Sequence, residues 1–295
     1  MCNITMFDET DNKGDETEGV KLYFGKEGKQ RKVPKELEGA GLSIKPVKVE
    51  SQKMKQVPNA EKGNIPKAPF RLLLNGESGS GKTQVACNML TSPHFYNIQD
   101  EKGNNYFPKE SVYLFSPTSG ENCELTQVLL KFNVLDKKNI HTSPTAQGLQ
   151  EVIDKQKDDI KYHGGVAKKE VKRVLVILDD CQGLRNRFLH SPEVESIFIK
   201  GRHWNISVIL MGQSYRKTEK TVRNNSTDII LFPCMESEMK TLCDEVLPAG
   251  VKASEFRSIM KYATSELYNF LYINKRAPAG ERFRKNFTNM LELKK

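Results

Sequence analysis

Residues Gly76 to Thr83 read Gly-Glu-Ser-Gly-Ser-Gly-Lys-Thr, a spacing of glycine, lysine and hydroxyl groups that can wrap a chain of phosphates. Glycines let successive backbone amides turn inward onto phosphate oxygens. Lys82 supplies a mobile point charge for the outer phosphates, and the Thr83 hydroxyl can ligate magnesium. The candidate nucleotide-binding residues are therefore Gly76, Glu77, Ser78, Gly79, Ser80, Gly81, Lys82, Thr83 and Gln84. The apolar run Phe70-Arg71-Leu72-Leu73-Leu74 precedes the loop and the helix-like Gln84-Val85-Ala86-Cys87 follows it. Strand, loop and helix is the context that such a loop requires. The ligand class is a nucleoside triphosphate; the loop alone does not say whether it is hydrolysed, used as a switch or held.

A second motif is Val174-Leu175-Val176-Ile177-Leu178-Asp179-Asp180, five apolar residues ending in two carboxylates. Alone, such a run is commonly an ordinary buried strand. Downstream of a complete phosphate loop it suits a different role, in which Asp179 holds the magnesium directly or through water and Asp180 orients or deprotonates the attacking water. A third run, Ile206-Ser207-Val208-Ile209-Leu210-Met211-Gly212-Gln213, ends in an amide. Gln213 is either a sensor of the outer phosphate or a strand-end residue that caps a turn. Arginine can stabilise a phosphoryl-transfer transition state, often from an adjacent subunit. Arg202 and Arg223 flank the third run and are the candidates; each could instead be a surface or DNA-contact residue. Basic side chains also follow the carboxylates (Arg185, Arg187) and the glutamine (Arg216, Lys217, Lys220, Arg223), on loops expected to leave one end of a sheet. There they could grip a phosphate backbone without reading bases, or simply be solvated.

These groups need a scaffold. From Pro69 onward short apolar runs alternate with helical patterns, which predicts an α/β fold with a mainly parallel central sheet flanked by helices on both faces. Strands are expected at Phe70 to Leu74, Ser111 to Phe115, Val174 to Leu178, Ile206 to Met211 and Asp228 to Phe232. Helices are expected at Lys82 to Leu90, Leu125 to Phe132, Ala146 to Gln156 and Pro192 to Lys200, where Ser191 can cap. Two more follow, Glu236 to Val246 and Ala253 to Tyr262, then a hairpin of Tyr268 to Ile273 and Glu281 to Phe287. The lysine-rich Asp154 to Lys172, with its Gly164-Gly165 pair, reads as an exposed connection.

Residues 1–67 carry few large apolar side chains, first acidic and then lysine- and proline-rich, and read as an extended or disordered charged arm. The core is expected over 68–235, completed by 236–295. The chain has 295 residues and a net charge of +9, which favours a polyanionic partner although solubility alone could account for it. Its six cysteines (Cys2, Cys87, Cys123, Cys181, Cys234, Cys243) show no zinc spacing and are expected as free thiols. The acidic amino terminus does not resemble an export signal, and no apolar run approaches the roughly 20 residues that span a bilayer. An intracellular protein without a membrane partner is expected, with Asn205-Ile206-Ser207 unmodified.

Taken in order, the phosphate loop, the Val174 to Asp180 run, and Gly201-Arg202-His203-Trp204-Asn205-Ile206-Ser207 running into Gln213-Ser214-Tyr215 resemble the poxvirus-type genome-packaging ATPases of the FtsK-HerA superfamily. The first two motifs are shared by many P-loop NTPases of the RecA/ASCE-like type; the third, followed by Arg223-Asn224-Asn225, is narrower. The resemblance covers about Pro69 to Phe232. It implies a strand bearing Gln213 between the phosphate-loop and Asp179 strands, and ATP and Mg2+ as ligands. It also implies a homo-oligomeric ring, double-stranded DNA and capsid proteins as partners, and residence in the virus factory or cytoplasm of an infected cell, or in the virion. Asp180 departs from many superfamily relatives, in which glutamate is frequent. Among rivals, a GTP switch would need Asn-Lys-x-Asp, and Asn274-Lys275-Arg276-Ala277 lacks the aspartate. A helicase or partitioning ATPase on the same core, or a nucleotide-dependent scaffold, remains open at this level.

Overall fold

The computed structural model describes residues 20–23, 56–99, 103, 105–120 and 123–294. The expected arm therefore lies largely outside the described residues, as does Cys2. In chain order the elements are β1 (Val20–Tyr23), α1 (Pro58–Glu61), β2 (Arg71–Asn75), α2 (Lys82–Thr91), β3 (Val112–Phe115), α3 (Glu124–Lys131), β4 (Ile140–His141) and α4 (Ala146–Tyr162). There follow β5 (Val174–Asp179), α5 (Pro192–Lys200), β6 (Ile206–Gly212), α6 (Lys220–Asn225), β7 (Asp228–Leu231), α7 (Glu236–Val246), α8 (Ala253–Ala263), β8 (Leu271–Asn274), β9 (Phe283–Lys285) and β10 (Asn289–Lys294).

The strands form one sheet in the order β1-β10-β9-β8-β7-β2-β6-β5-β3-β4. From β7 to β4 every pairing is parallel. Beyond β7 the pairings of β8, β9 and β10 turn antiparallel, and β1 pairs parallel with β10. The mainly parallel α/β fold expected from the apolar runs is thus present, and β6 lies between β2 and β5.

Alternation along each strand sends side chains to opposite faces. Leu73, Val176, Leu178, Val208, Leu210 and Ile229 pack with Leu149 of α4, Phe198 of α5, Leu242 of α7 and Phe256 of α8. Leu72, Leu74, Leu175, Ile177, Ile209 and Ile230 pack with Ala60 of α1, Met89 of α2 and Leu129 of α3. Helices therefore cover both faces, which is why the central runs are continuously apolar. Ser191 caps α5 as expected, its hydroxyl accepting from the Val194 amide, with Pro192 opening the helix.

The structure departs from the sequence reading in four places. Residues 56–67 do not behave as part of an arm: Val57, Ala60 and Ile65 are buried in the core. Their segment is fastened by Gln56, which donates to the Ala68 carbonyl at 2.8 Å and accepts from its amide at 3.0 Å. Asp154 to Lys172 is exposed connection only in its second half, because α4 continues to Tyr162 and Gln156 is buried, donating to the Lys172 carbonyl at 3.0 Å. The late hairpin has a third strand, β10, and its first strand begins only at Leu271. Helix α6 and the two-residue β4 were not read, since Lys-Thr-Val-Arg-Asn-Asn has no apolar period and two residues cannot show one. The five described cysteines are free thiols.

Truncation of a fully buried isoleucine typically costs about 2–5 kcal/mol. Ile65→Ala is therefore expected to lower stability by an amount in that range, read as a fall in the urea midpoint with unchanged slope; an undocked arm would leave the midpoint where it is.

Candidate active site

Because β2, β6 and β5 run parallel and in register, their carboxyl ends meet along one edge. Asn75 pairs with Gly212, and Asp179 with Met211. The Gly76 amide donates to the Gly212 carbonyl at 3.1 Å and the Phe232 amide to the Asn75 carbonyl at 3.0 Å, which pins the start of the phosphate loop to both neighbouring strands. The loop then turns into α2 through Gly81, whose φ of 106 disfavours any side chain; a Cβ there would lie in ordinary contact with Tyr268 and Phe232, at 3.4 and 3.5 Å.

A cleft of about 860 Å³ lies over this edge, lined by Ser78, Gly79, Gly81, Lys82, Thr83, Gln84, Asp179, Asp180, Gly212 and Gln213 among others. The phosphate loop, both carboxylates and the amide of the third run therefore share one site. Lys82 Nζ donates to the carbonyls of Gly76 and Glu77, each at 2.8 Å. Burial lowers its pKa, opposed by the charges of Asp179 and Asp180.

The two carboxylates differ. Asp179 is half-buried, and burial together with the neighbouring Asp180 charge raises its carboxyl from 3.8 to about 6, against the lowering effect of Ser116 and Lys82. Ser116, at the end of β3, donates to it at 3.4 Å. Asp180 is exposed and sits in the left-handed region at φ 51, a backbone strain of the kind that clusters at working sites. Gln213 Nε2 donates to its Oδ1 at 3.4 Å.

These residues fit a magnesium ion. The Thr83 hydroxyl and the Asp179 carboxylate are hard oxygen donors, both line the cleft, and two adjacent acids with one suppressed ionisation form a charge excess that a divalent cation relieves.

Gln182 escaped the sequence reading, because nothing in its local pattern marks it. Its Oε1 accepts from the amides of Gln213 and Ser214 at 2.8 and 3.1 Å, while Nε2 donates to the Ser214 carbonyl at 2.7 Å and to Thr218 Oγ1 at 3.1 Å. A side chain at Gly212 would strike Gln182 at 2.6 Å. One amide therefore joins the loop after β5 to the loop after β6 and aims Gln213 at Asp180. Those loops carry the exposed Arg185, Arg187, Arg216 and Lys217, at the sheet end that holds the cleft, and Lys220 is exposed at the start of α6.

The two arginine candidates part company. Arg223 is a correction: it is only 9% exposed, with Nε and Nη2 on Glu245 at 2.9 and 2.7 Å and Nη1 on the Arg216 and Thr218 carbonyls at 3.1 and 2.9 Å. With four of its five N–H donors taken and its charge paired with Glu245, this guanidinium is committed within its own subunit. Arg202 is exposed on the turn before β6, at the opposite end of the sheet from the phosphate loop. Its charge is felt by Arg71 at the start of β2, where burial foremost, with Arg276 and Arg202, lowers the guanidinium to about 10.

A phosphate loop between a strand and a helix, with an acid pair on the next strand but one, defines a P-loop NTPase-like protein. The chain belongs to the Poxvirus A32 protein family, whose model matches residues 59–282. No curated protein matches it in sequence. Among solved structures it is similar to the genome packaging NTPase B204 from Sulfolobus turreted icosahedral virus 2 in complex with AMP, with 13% identity, 70% of this chain and 92% of that one covered, and a TM-score of 0.46. B204 from Sulfolobus turreted icosahedral virus, described as its DNA-packaging ATPase, matches at 15% identity, 70% and 93% coverage and a TM-score of 0.45. EssC (ATPases 2 and 3) from Geobacillus thermodenitrificans matches at 15% identity over 59% of this chain and 34% of that one, with a TM-score of 0.42. Among the described residues no helix is long and apolar enough to cross a membrane.

The Asp179 carboxyl, raised to about 6 in the fold from an ordinary 3.8, holds its proton more tightly when folded. Its stabilising share is complete below the ordinary value and is lost as pH rises through about 6. In metal-free buffer, Asp179→Asn is therefore expected to exceed wild type in stability near neutral pH by roughly 2–3 kcal/mol at most, with the gap closing in acid; denaturant titration across pH checks it, and a gap independent of pH counts against the burial described.

Proposed function

We propose that this chain is a magnesium-dependent ATPase that drives double-stranded DNA into a viral capsid, working as a homo-oligomeric ring. What carries the reading is that Lys82, Thr83, Asp179, Asp180 and Gln213 share one cleft in a member of the Poxvirus A32 family.

In this reading the loop amides from Gly76 to Gln84 receive the phosphates. Lys82 gives up the Gly76 and Glu77 carbonyls to place its charge on the outer phosphates. Thr83 and Asp179 hold the metal, which when bound neutralises charge on the phosphate oxygens. Asp180, exposed beside the partly buried Asp179, orients the attacking water and accepts its proton. Gln213, within reach of Asp180, senses the outer phosphate, and Gln182 sets its position. Movement of Gln213 passes along the same loop, where Ser214 Oγ contacts Glu238 and the Tyr215 hydroxyl donates to Glu245 at 3.1 Å. The basic side chains Arg185, Arg187, Arg216, Lys217 and Lys220 then grip the DNA backbone without reading bases. Arg202 faces away from the cleft of its own subunit, which suits an arginine supplied to a neighbour's triphosphate. Capsid proteins complete the partners, in the virus factory or cytoplasm of the infected cell or in the virion.

Steady-state ATP turnover with and without long duplex DNA tests the motor. Duplex is expected to stimulate turnover, Lys82→Ala to abolish it, and Asp180→Asn to lower kcat by about 10²–10⁴-fold; retained activity in both variants, or strand separation in place of duplex stimulation, overturns the reading. For the arginine, Arg202→Ala subunits mixed with Asp180→Asn subunits should recover part of the activity that neither retains alone, since some interfaces then pair an intact cleft with an intact arginine. No recovery at any mixing ratio removes Arg202 from that role.

A further inference from the structure

One wall of the cleft takes no part in the phosphate chemistry. Tyr268, Asn269, Phe270 and Asn286 line it. They come from the α8–β8 loop and the β9–β10 turn, which lie at the phosphate-loop end of the sheet because Leu271 pairs with both Leu231 and Lys285. Tyr268 and Phe270 are the aromatic side chains of the cleft lining. Phe270 is 6% exposed and packs on the rings of Phe232 and Phe287, at 5.6 and 5.1 Å.

Tyr268 is placed differently. It is 62% exposed, and its φ of 66 lies in the left-handed region, which is uncommon for a bulky residue and costs free energy that some other contact must offset. Burial does not supply the offset, since most of the side chain remains in water. Yet Tyr268 Cδ1 stands 3.4 Å from where a side chain at Gly81 would begin, beside the turn into α2. The loop beneath it is rigidly tied. Asn286 exchanges bonds with the Phe270 backbone at 2.9 and 3.1 Å, its Nδ2 donates to Asn269 Oδ1 at 3.0 Å, and Asn269 Nδ2 donates to Glu266 at 2.8 Å.

We propose that Tyr268 is the platform on which the base of the bound nucleotide stacks, on a loop held in place by Asn269 and Asn286. This rests on the reading of the cleft as a triphosphate site and adds the part that recognises the base. The two asparagine amides are engaged in fixing the loop, so the base is held by its face. Stacking of that kind tolerates any base, because every base has a π-face, and the site accepts ATP and GTP with similar affinity.

Calorimetric titration of the full chain with magnesium and ATP, GTP or inorganic tripolyphosphate tests this, since tripolyphosphate carries the phosphates without a base. Tyr268→Ala is expected to weaken ATP and GTP alike by about tenfold and to leave tripolyphosphate unchanged, while Tyr268→Phe restores both nucleotides. Unchanged ATP affinity in Tyr268→Ala overturns the proposal. So does an equal loss of ATP and tripolyphosphate, which would make the ring a support for the phosphate loop. Failure of the underlying reading looks different: the wild-type chain would then bind neither nucleotide nor tripolyphosphate.

Discussion

The hydrogen bond from the Gly76 amide to the Gly212 carbonyl, 3.1 Å long, closes the parallel ladder between β2 and β6 at the point where both strands end. Parallel pairing forces strands that share a register to finish together, so the phosphate loop, the Gln213 turn and the acid pair emerge side by side. The intervening helices must then cross back over the sheet, and they do so on both faces, burying the side chains of β2, β6 and β5 except for the half-buried Arg71 and Asp179 at two strand ends. Everything chemical in the cleft follows from that alignment, since a one-residue slip of any of the three strands would turn its side chains to the other face.

The alignment concentrates unlike charges and carries a cost. Lys82 and Asp179 are each displaced in the direction that burial dictates, the lysine downward and the acid upward, even though each favours the charge of the other. Desolvation thus outweighs their attraction in the folded chain. The left-handed backbone of Asp180 adds strain at the same spot. Sites that sacrifice stability in this way are those in which a ligand supplies the missing compensation, and here the donor set calls for a cation and a polyanion together.

The two ends of the sheet are consequently unlike. At the cleft end, Gln182 stitches two basic loops to one another. At the far end, Arg71, Lys275 and Arg276 gather around Asp228, which is fully buried and bonded to Thr227, Tyr272 and Arg276 at 2.6, 2.7 and 3.3 Å, and the charge of Arg202 reaches Arg71. Arg223 belongs to neither role. Its ion pair with Glu245 joins α6 to α7 and fixes the loop that follows Gln213.

Much of this was legible in the chain. The phosphate loop, the apolar run before Asp179 and the run ending in Gln213 are local patterns, and a local pattern suffices to specify a strand, a turn or a helix. Their order along the chain, with the resemblance it carries, was enough for the family and for the place of β6 between β2 and β5. Docking of Val57, Ala60 and Ile65 was not legible, because a few apolar residues among lysines and prolines look alike whether or not a surface waits for them. Nor could sequence separate Arg202 from Arg223. Both are arginines flanking one strand, and only Glu245, which the fold brings up from α7, commits one of them. Gln182 and Tyr268 acquire meaning in the same way, from Gly212 and Gly81 across the cleft. Residue type and spacing determined what chemistry the chain can perform; which groups remain free to perform it was decided by tertiary structure, because hydrogen bonds and burial depend on distances between residues far apart in the chain.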